Sequence, residues 1–320
     1  METREVRMAM ADRVELAGRL YLPDGAGPHP AVVMSHGFSG LMDMGLDPYA
    51  RAFQAAGLAS LVYDHRNFGD SGGNIRQEID PWQQIRDMRE VIAHARIQDA
   101  VNAARVGLWG TSYSGGHALV IGAVDRRVSC VVSQVPVTTG SGVIERMVTA
   151  PEMPAFLDSI YEDYDARARG DAPATVPVYQ PGGETAVWAE KMGADTAYRN
   201  EVTLRSRDLW LEYEPSSFMH RISPTPLLMI IAAHDTRVPT RDQLKAYHQA
   251  LEPKELLLLD GAHYDPYMSR IDEAIAAARD FWRPAARWTV SFAAVSELGR
   301  GNCHQGQSRT HGRRCRQRFV

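Results

Sequence analysis

Residues 1–135 alternate between short apolar runs of strand length and longer stretches whose apolar residues recur at helical spacing. Glu5 to Met10 and Val14 to Tyr21 alternate apolar with polar positions and read as two antiparallel strands joined by Ala11-Asp12-Arg13. The run AVVMSHG is almost wholly apolar, which suits a strand buried on both faces. Tyr49, Phe53 and Ala56 share a helical face, LASLVYD follows as a strand, and Trp82, Ile85, Met88 and Ile92 carry the next helical stripe behind Pro81. VGLWG, SYSGGHALVIGAV and VSCVVSQV continue as strand, helix and strand. This alternation predicts an α/β fold, with a mostly parallel central sheet and helices on both faces.

Between Pro136 and Ser223 the rhythm stops, and Pro, Gly, Met, acidic and aromatic residues dominate. A structureless loop of that length is uncommon inside a compact domain, so residues 136–223 are expected to form an inserted, partly helical cap. The rhythm resumes with PLLMIIAAHD, a helix from about Thr240 to Leu251, the strand KELLLLD and a helix from about Pro266 to Trp282. The expected organisation is a core of residues 1–135 and 224–284, the cap, and a basic, mobile tail over 285–320. From Arg300 onward that tail has six arginines and no acidic residue. Its Cys303, His304, His311 and Cys315 match no common zinc spacing, so no metal site is assigned.

Composition narrows the function. Apolar residues make up 44% and charged residues 23% of the 320, ordinary values for a globular chain. A formal charge of −4 and a pI near 6.3 argue against nucleic acid, which needs a concentrated basic surface, and leave a small molecule as the expected ligand. The first twenty residues alternate charged and apolar positions rather than forming a signal-peptide core, and no apolar run reaches membrane-spanning length. The expectation is a cytoplasmic protein with no membrane partner, its oligomeric state left open, a homo-oligomer included. Cys130 sits in the apolar run VSCVVSQV and reads as a buried thiol rather than half of a disulfide.

Two serines compete for the role of nucleophile. Ser71 lies in GDSGG, the surroundings of the trypsin-like nucleophile, but few residues precede it and the neighbouring elements are α/β rather than paired β-barrels. Ser112 lies in WGTSYSGG with a strand before it and a helix after it. That is the context of a nucleophile elbow, where Gly110 and Ser114 are small enough to let strand and helix approach. An acid and a histidine should follow at strand ends: Asp235 closes PLLMIIAAHD and His263 follows KELLLLD. His234 and Asp265 stand in the wrong order for these roles. His36 is read as bracing the loop SHGFSG, and His94, His117 and His248 as surface or packed residues. For the oxyanion, the backbone N–H groups of Tyr113 and Phe38 are the expected donors.

SHGFSG, YDHRNFGDSGG, GTSYSGG, AAHDTRVP and DGAHYDPY each resemble a landmark of the α/β-hydrolase superfamily, over nearly the whole chain up to about Pro284. Within it the pattern is similar to serine hydrolases grouped with dienelactone hydrolases, X-Pro dipeptidyl peptidases and polyketide transferases or thiohydrolases. It departs from dienelactone hydrolase in placing Ser112 where that enzyme has cysteine. The resemblance implies an α/β-hydrolase fold and acyl chemistry through Ser112, Asp235 and His263, with neither metal nor organic cofactor. The expected substrate is a small or medium carboxylic ester with an apolar or aromatic group, lined by Met42, Met44, Met147, Met153, Phe156, Trp188 and Trp210. Amide, carbamate or thioester cleavage and acyl transfer remain open on the same triad.

Overall fold

The computed structural model describes residues 1–282. The tail expected over 285–320, with Cys303, His304, His311 and Cys315, lies outside them. The first two alternating runs pair antiparallel as β1 (Glu2–Ala9) and β2 (Glu15–Leu22). Then follow β3 (His29–Ser35), α1 (Asp47–Ala55), β4 (Ala59–Tyr63), α2 (Pro81–Arg96), β5 (Val101–Thr111), α3 (Tyr113–Val124) and β6 (Val128–Gln134). Asp80 accepts a hydrogen bond from the Gln83 N–H and Pro81 opens the first turn, which fixes the start of α2.

After β6 come α4 (Gly140–Met147), α5 (Met153–Ala168), β7 (Thr175–Val176), α6 (Glu184–Gly193), β8 (Val202–Thr203) and α7 (Arg205–Leu211). The chain returns through β9 (Leu227–Ala232), α8 (Thr240–Gln249), β10 (Lys254–Leu259) and α9 (Ile271–Trp282). The expected helix from Pro266 is thus shorter at its start. Residues Asp265–Tyr267 form a separate 3-10 turn, because the Asp265 carboxylate accepts from the Ala262 N–H and the Ser269 hydroxyl and tightens the chain there.

The main sheet has the order β1-β2-β4-β3-β5-β6-β9-β10 and is parallel from β4 to β10. Alternation along the strands divides the core into two layers. Ala31 and Val33 of β3 pack with Met88 and Val91 of α2, Leu119 of α3 and Ala246 of α8. Val32 and Met34 pack with Tyr49 and Phe53 of α1 and with Ala278 and Trp282 of α9. Helix α3 is buried on all sides, which explains why its sequence is apolar all round. Among the described residues no helix is long and apolar enough to cross a membrane.

Besides His263, three histidines among the described residues are buried around the carboxyl edge of the sheet. Burial pulls the pKa of His36 down to about 4 and that of His65 to about 3, and holds His117 well below the ordinary histidine value. Folded, all three are neutral; unfolded, each takes a proton near pH 6.5. A depressed folded pKa gives stability that is intact above the unfolded pKa and is lost as pH falls toward the folded one, here about 2 kcal/mol each for His36 and His65 by about pH 5. Asp64 opposes them weakly, since burial lifts its pKa to about 6. The urea midpoint should therefore fall by several tenths of a molar or more between about pH 7 and about pH 5; a flat midpoint would contradict three neutral, buried imidazoles.

Candidate active site

The turn from β5 into α3 places Ser112 at φ 53° and ψ −115°, a left-handed conformation that a non-glycine residue adopts only when its surroundings impose it. Two backbone bonds impose it here: the Ser112 N–H donates to the Gln134 carbonyl at 2.8 Å and the Val137 N–H to the Ser112 carbonyl at 2.9 Å. Strand and helix meet so closely that a Cβ on Gly110 would sit 2.0 Å from the Ser114 carbonyl oxygen. Ser114 is fully buried and its hydroxyl meets His65 Nε2 at 2.8 Å.

The loops after β9 and β10 bring two further groups to Ser112. His263 Nε2 lies 3.1 Å from Ser112 Oγ, and His263 Nδ1 lies 2.7 Å from Asp235 Oδ2. Asp235 is buried and saturated with donors: its Oδ1 accepts from the N–H groups of Arg237 and Val238 at 2.9 and 2.8 Å, and its Oδ2 also accepts from Gln243 Nε2 at 3.0 Å. Gln243, fully buried on α8, donates as well to the Val238 carbonyl. Nothing in the sequence marks it, because a glutamine on a helix has no motif of its own.

The loop after β3 presses against the serine. A Cβ on Gly37 would lie 2.9 Å from Ser112 Cβ, so only glycine leaves the hydroxyl its space. His36 fixes this loop in the neutral state: its Nδ1 accepts from the Gly37 N–H at 2.7 Å and its Nε2 donates to the Met44 carbonyl at 2.8 Å. Phe38 follows, its ring stacked on Trp210 at 4.3 Å between centroids. Tyr113 opens α3, and the first amides of a helix have no partner within it. Tyr113 follows Ser112 directly in the chain, and Phe38 lines the same cavity as Ser112.

The other candidates stand apart from this chain of bonds. Ser71 is buried, donates to the Asp64 carbonyl at 2.7 Å and accepts from the Ala17 N–H at 2.9 Å, so its hydroxyl ties a loop to β2. His234 is exposed and pairs with Asp260, while the Asp265 carboxylate accepts from the Ala262 N–H and closes the turn that contains His263. His94 bonds the Ala9 carbonyl, His248 the Leu244 carbonyl, and His117 bridges Tyr213 and Gln84.

The model of the X-Pro dipeptidyl-peptidase (S15) family matches residues 12–265. The chain belongs to that family. This S15-family chain is 32% identical over 272 residues to a thiohydrolase of Aspergillus aculeatus, covering 79% of this chain and 83% of that one. It is 28% identical over 278 residues to an acyltransferase of Aspergillus calidoustus, covering 82% and 88%. The crystal structure of the α/β hydrolase GrgF from Penicillium sp. sh18 is similar with a TM-score of 0.80 at 26% identity, covering 88% of this chain and 98% of that one. The α/β-hydrolase fold expected from the sequence is the fold observed.

In this S15-family chain Ser112 and His263 open into a cavity of about 170 Å³ beneath the segment between β6 and β9. Of the seven expected lining residues, Met147, Trp188 and Trp210 line it. Met42, Met44, Met153 and Phe156 do not. Met42 packs into the core layer with α1 and Met44 is fully buried in the opposite layer, while Met153 and Phe156 lie at the start of α5 and pack on the core's edge. Three arginines that the sequence did not single out, Arg146, Arg207 and Arg237, line the cavity together with Tyr198, Tyr264 and Tyr267.

Two substitutions separate site from scaffold. Gln243→Leu removes a donor to the Asp235 carboxylate and should lower kcat/KM about tenfold with the fold retained by circular dichroism; unchanged kinetics would show that the backbone donors suffice. Ser71→Ala leaves the Ala17 N–H without its acceptor and should cost about 1–3 kcal/mol in urea unfolding while turnover persists.

Proposed function

We propose that the protein is a serine hydrolase that cleaves a carboxylic ester through an acyl-enzyme on Ser112. The observation that carries this reading is the unbroken line of hydrogen bonds from Ser112 Oγ through the His263 ring to Asp235. His263 takes the hydroxyl proton from Ser112 as Oγ attacks the carbonyl carbon, and the Asp235 carboxylate stabilises the imidazolium that forms. The N–H groups of Phe38 and Tyr113 receive the developing oxyanion. His263 then hands its proton to the leaving alcohol, and a water activated by the same ring releases the acid.

Residues 136–223 serve as the cap, supplying Met147, Trp188 and Trp210 to hold an apolar or aromatic group of the substrate. A second reading, thioester cleavage or acyl transfer on the same triad, is favoured by the likeness to a thiohydrolase and an acyltransferase. An amide or carbamate is the remaining alternative. A cytoplasmic protein acting on a small molecule fits this reading.

Hydrolysis of p-nitrophenyl esters by the wild type and by Ser112→Ala tests it, with matched thioesters and anilides alongside. Turnover should fall by about 10⁴-fold or more in Ser112→Ala. Matched ester and thioester rates then choose between the two readings. Turnover that survives in Ser112→Ala would overturn both.

A further inference from the structure

Arg207 is a buried cation without an acidic partner. Its residue is 7% exposed, yet among the described residues it forms no ion pair. The two Nη2 hydrogens go to the carbonyls of Pro177 and Val178 at 3.1 and 3.2 Å, and Nη1 meets only the weak acceptor Sδ of Met147. The guanidinium lies 5.5 Å from the Phe38 ring centroid and 5.8 Å from that of Trp210, both residues lining the cavity. That leaves Nε–H and one Nη1–H without a protein acceptor among the described residues. Burial and the neighbouring charge of Arg237 pull its pKa down to about 10, so it keeps its charge at neutral pH.

Arg237 adds a second uncompensated charge on the same wall. Its backbone N–H serves Asp235, but its exposed side chain has no hydrogen bond or ion pair among the described residues. Arg146 also lines the wall, but it is paired with Asp242 at 3.2 Å. All three arginines are shared with an adjoining outer cavity of about 500 Å³. Among the described residues the one carboxylate on the outer wall, Glu184, accepts from the Thr236 hydroxyl at 3.2 Å and pairs with none of them. Retaining a buried, unpaired guanidinium is costly unless an anion completes it.

We propose that Arg207 and Arg237 form a subsite for an oxyanion at the distal end of the substrate, so that the bond cleaved at Ser112 belongs to an acyl compound bearing a carboxylate or a phosphate. This deepens the serine-hydrolase reading and rests on it. The aromatic walls hold the apolar middle of such a molecule, and the free N–H groups of Arg207, with the charge of Arg237, take its anionic end.

Two matched pairs test the subsite and separate its two sources. The first is mono-p-nitrophenyl adipate against its methyl ester; the second is acetyl-phosphopantetheine against acetyl-pantetheine. The wild type should favour the charged member of one pair by about tenfold or more in kcat/KM, chiefly through KM. Preference in the first pair assigns a carboxylate, in the second a phosphate. Arg237→Gln, at an exposed position, and Arg207→Gln should each bring that ratio toward one.

Binding of monomethyl adipate and of phosphopantetheine to Ser112→Ala, followed by tryptophan fluorescence, reads the subsite without turnover. Anion-selective binding that Arg207→Gln abolishes, alongside a wild type that turns over none of the four substrates, would overturn the hydrolase reading and leave the subsite standing. Turnover with no preference in either pair, or a preference that both arginine variants keep, would overturn the subsite and leave Arg207 as a brace for Phe38 and Trp210.

Discussion

The left-handed backbone of Ser112 is the constraint on which the rest of the site depends. A non-glycine residue held there stores on the order of 1–3 kcal/mol, and it persists only because neighbouring strands over-determine it. Gln134 on β6 accepts the Ser112 N–H, Val137 beyond β6 donates to its carbonyl, and Gly110 lets α3 start directly against β5. The hydroxyl is thereby lifted off the sheet edge and toward His263 rather than folded back to cap α3; no side-chain cap bond is made by Ser112.

Around this turn, buried polar groups fix what would otherwise be mobile loops. The Asp64 carboxylate accepts from the N–H groups of Met42 and Asp70, joining the loop after β3 to the loop after β4. His36 holds Gly37 on one side and Met44 on the other, which fixes the backbone before and after Phe38. Behind Ser112, His65 meets Ser114, and His117 links Gln84 to Tyr213. Protonation of His36 at Nδ1 would cost the bond it accepts from the Gly37 N–H, which ties the shape of the loop after β3 to the charge state of that histidine.

The core was legible because its signals are local. Wholly apolar runs such as those of β3 and β6 mark strands buried on both faces, and the glycines around Ser112 mark a tight strand-to-helix turn. The order of Ser112, Asp235 and His263 was legible too, since each stands just past a strand. The trypsin-like look of GDSGG was discounted on context, and Ser71 is occupied by Asp64 and Ala17. What failed was the cavity lining. Met42 and Met44 follow the same loop as Phe38, but sequence cannot show that they turn into the two core layers. Arg146, Arg207 and Arg237 come from α4, α7 and the loop after β9, and no periodicity connects residues brought together only by the tertiary fold. Gln243 was silent for the same reason.

The proposed chemistry stands or falls on whether this turn holds Ser112 as an activated nucleophile. The most direct measurement is the intact mass of wild type and Ser112→Ala after exposure to a fluorophosphonate, with the modified peptide then sequenced. One adduct is expected on the wild type, located at Ser112, and none on the variant. An adduct on Ser71 or on any other residue, or equal labelling of both proteins, would contradict it.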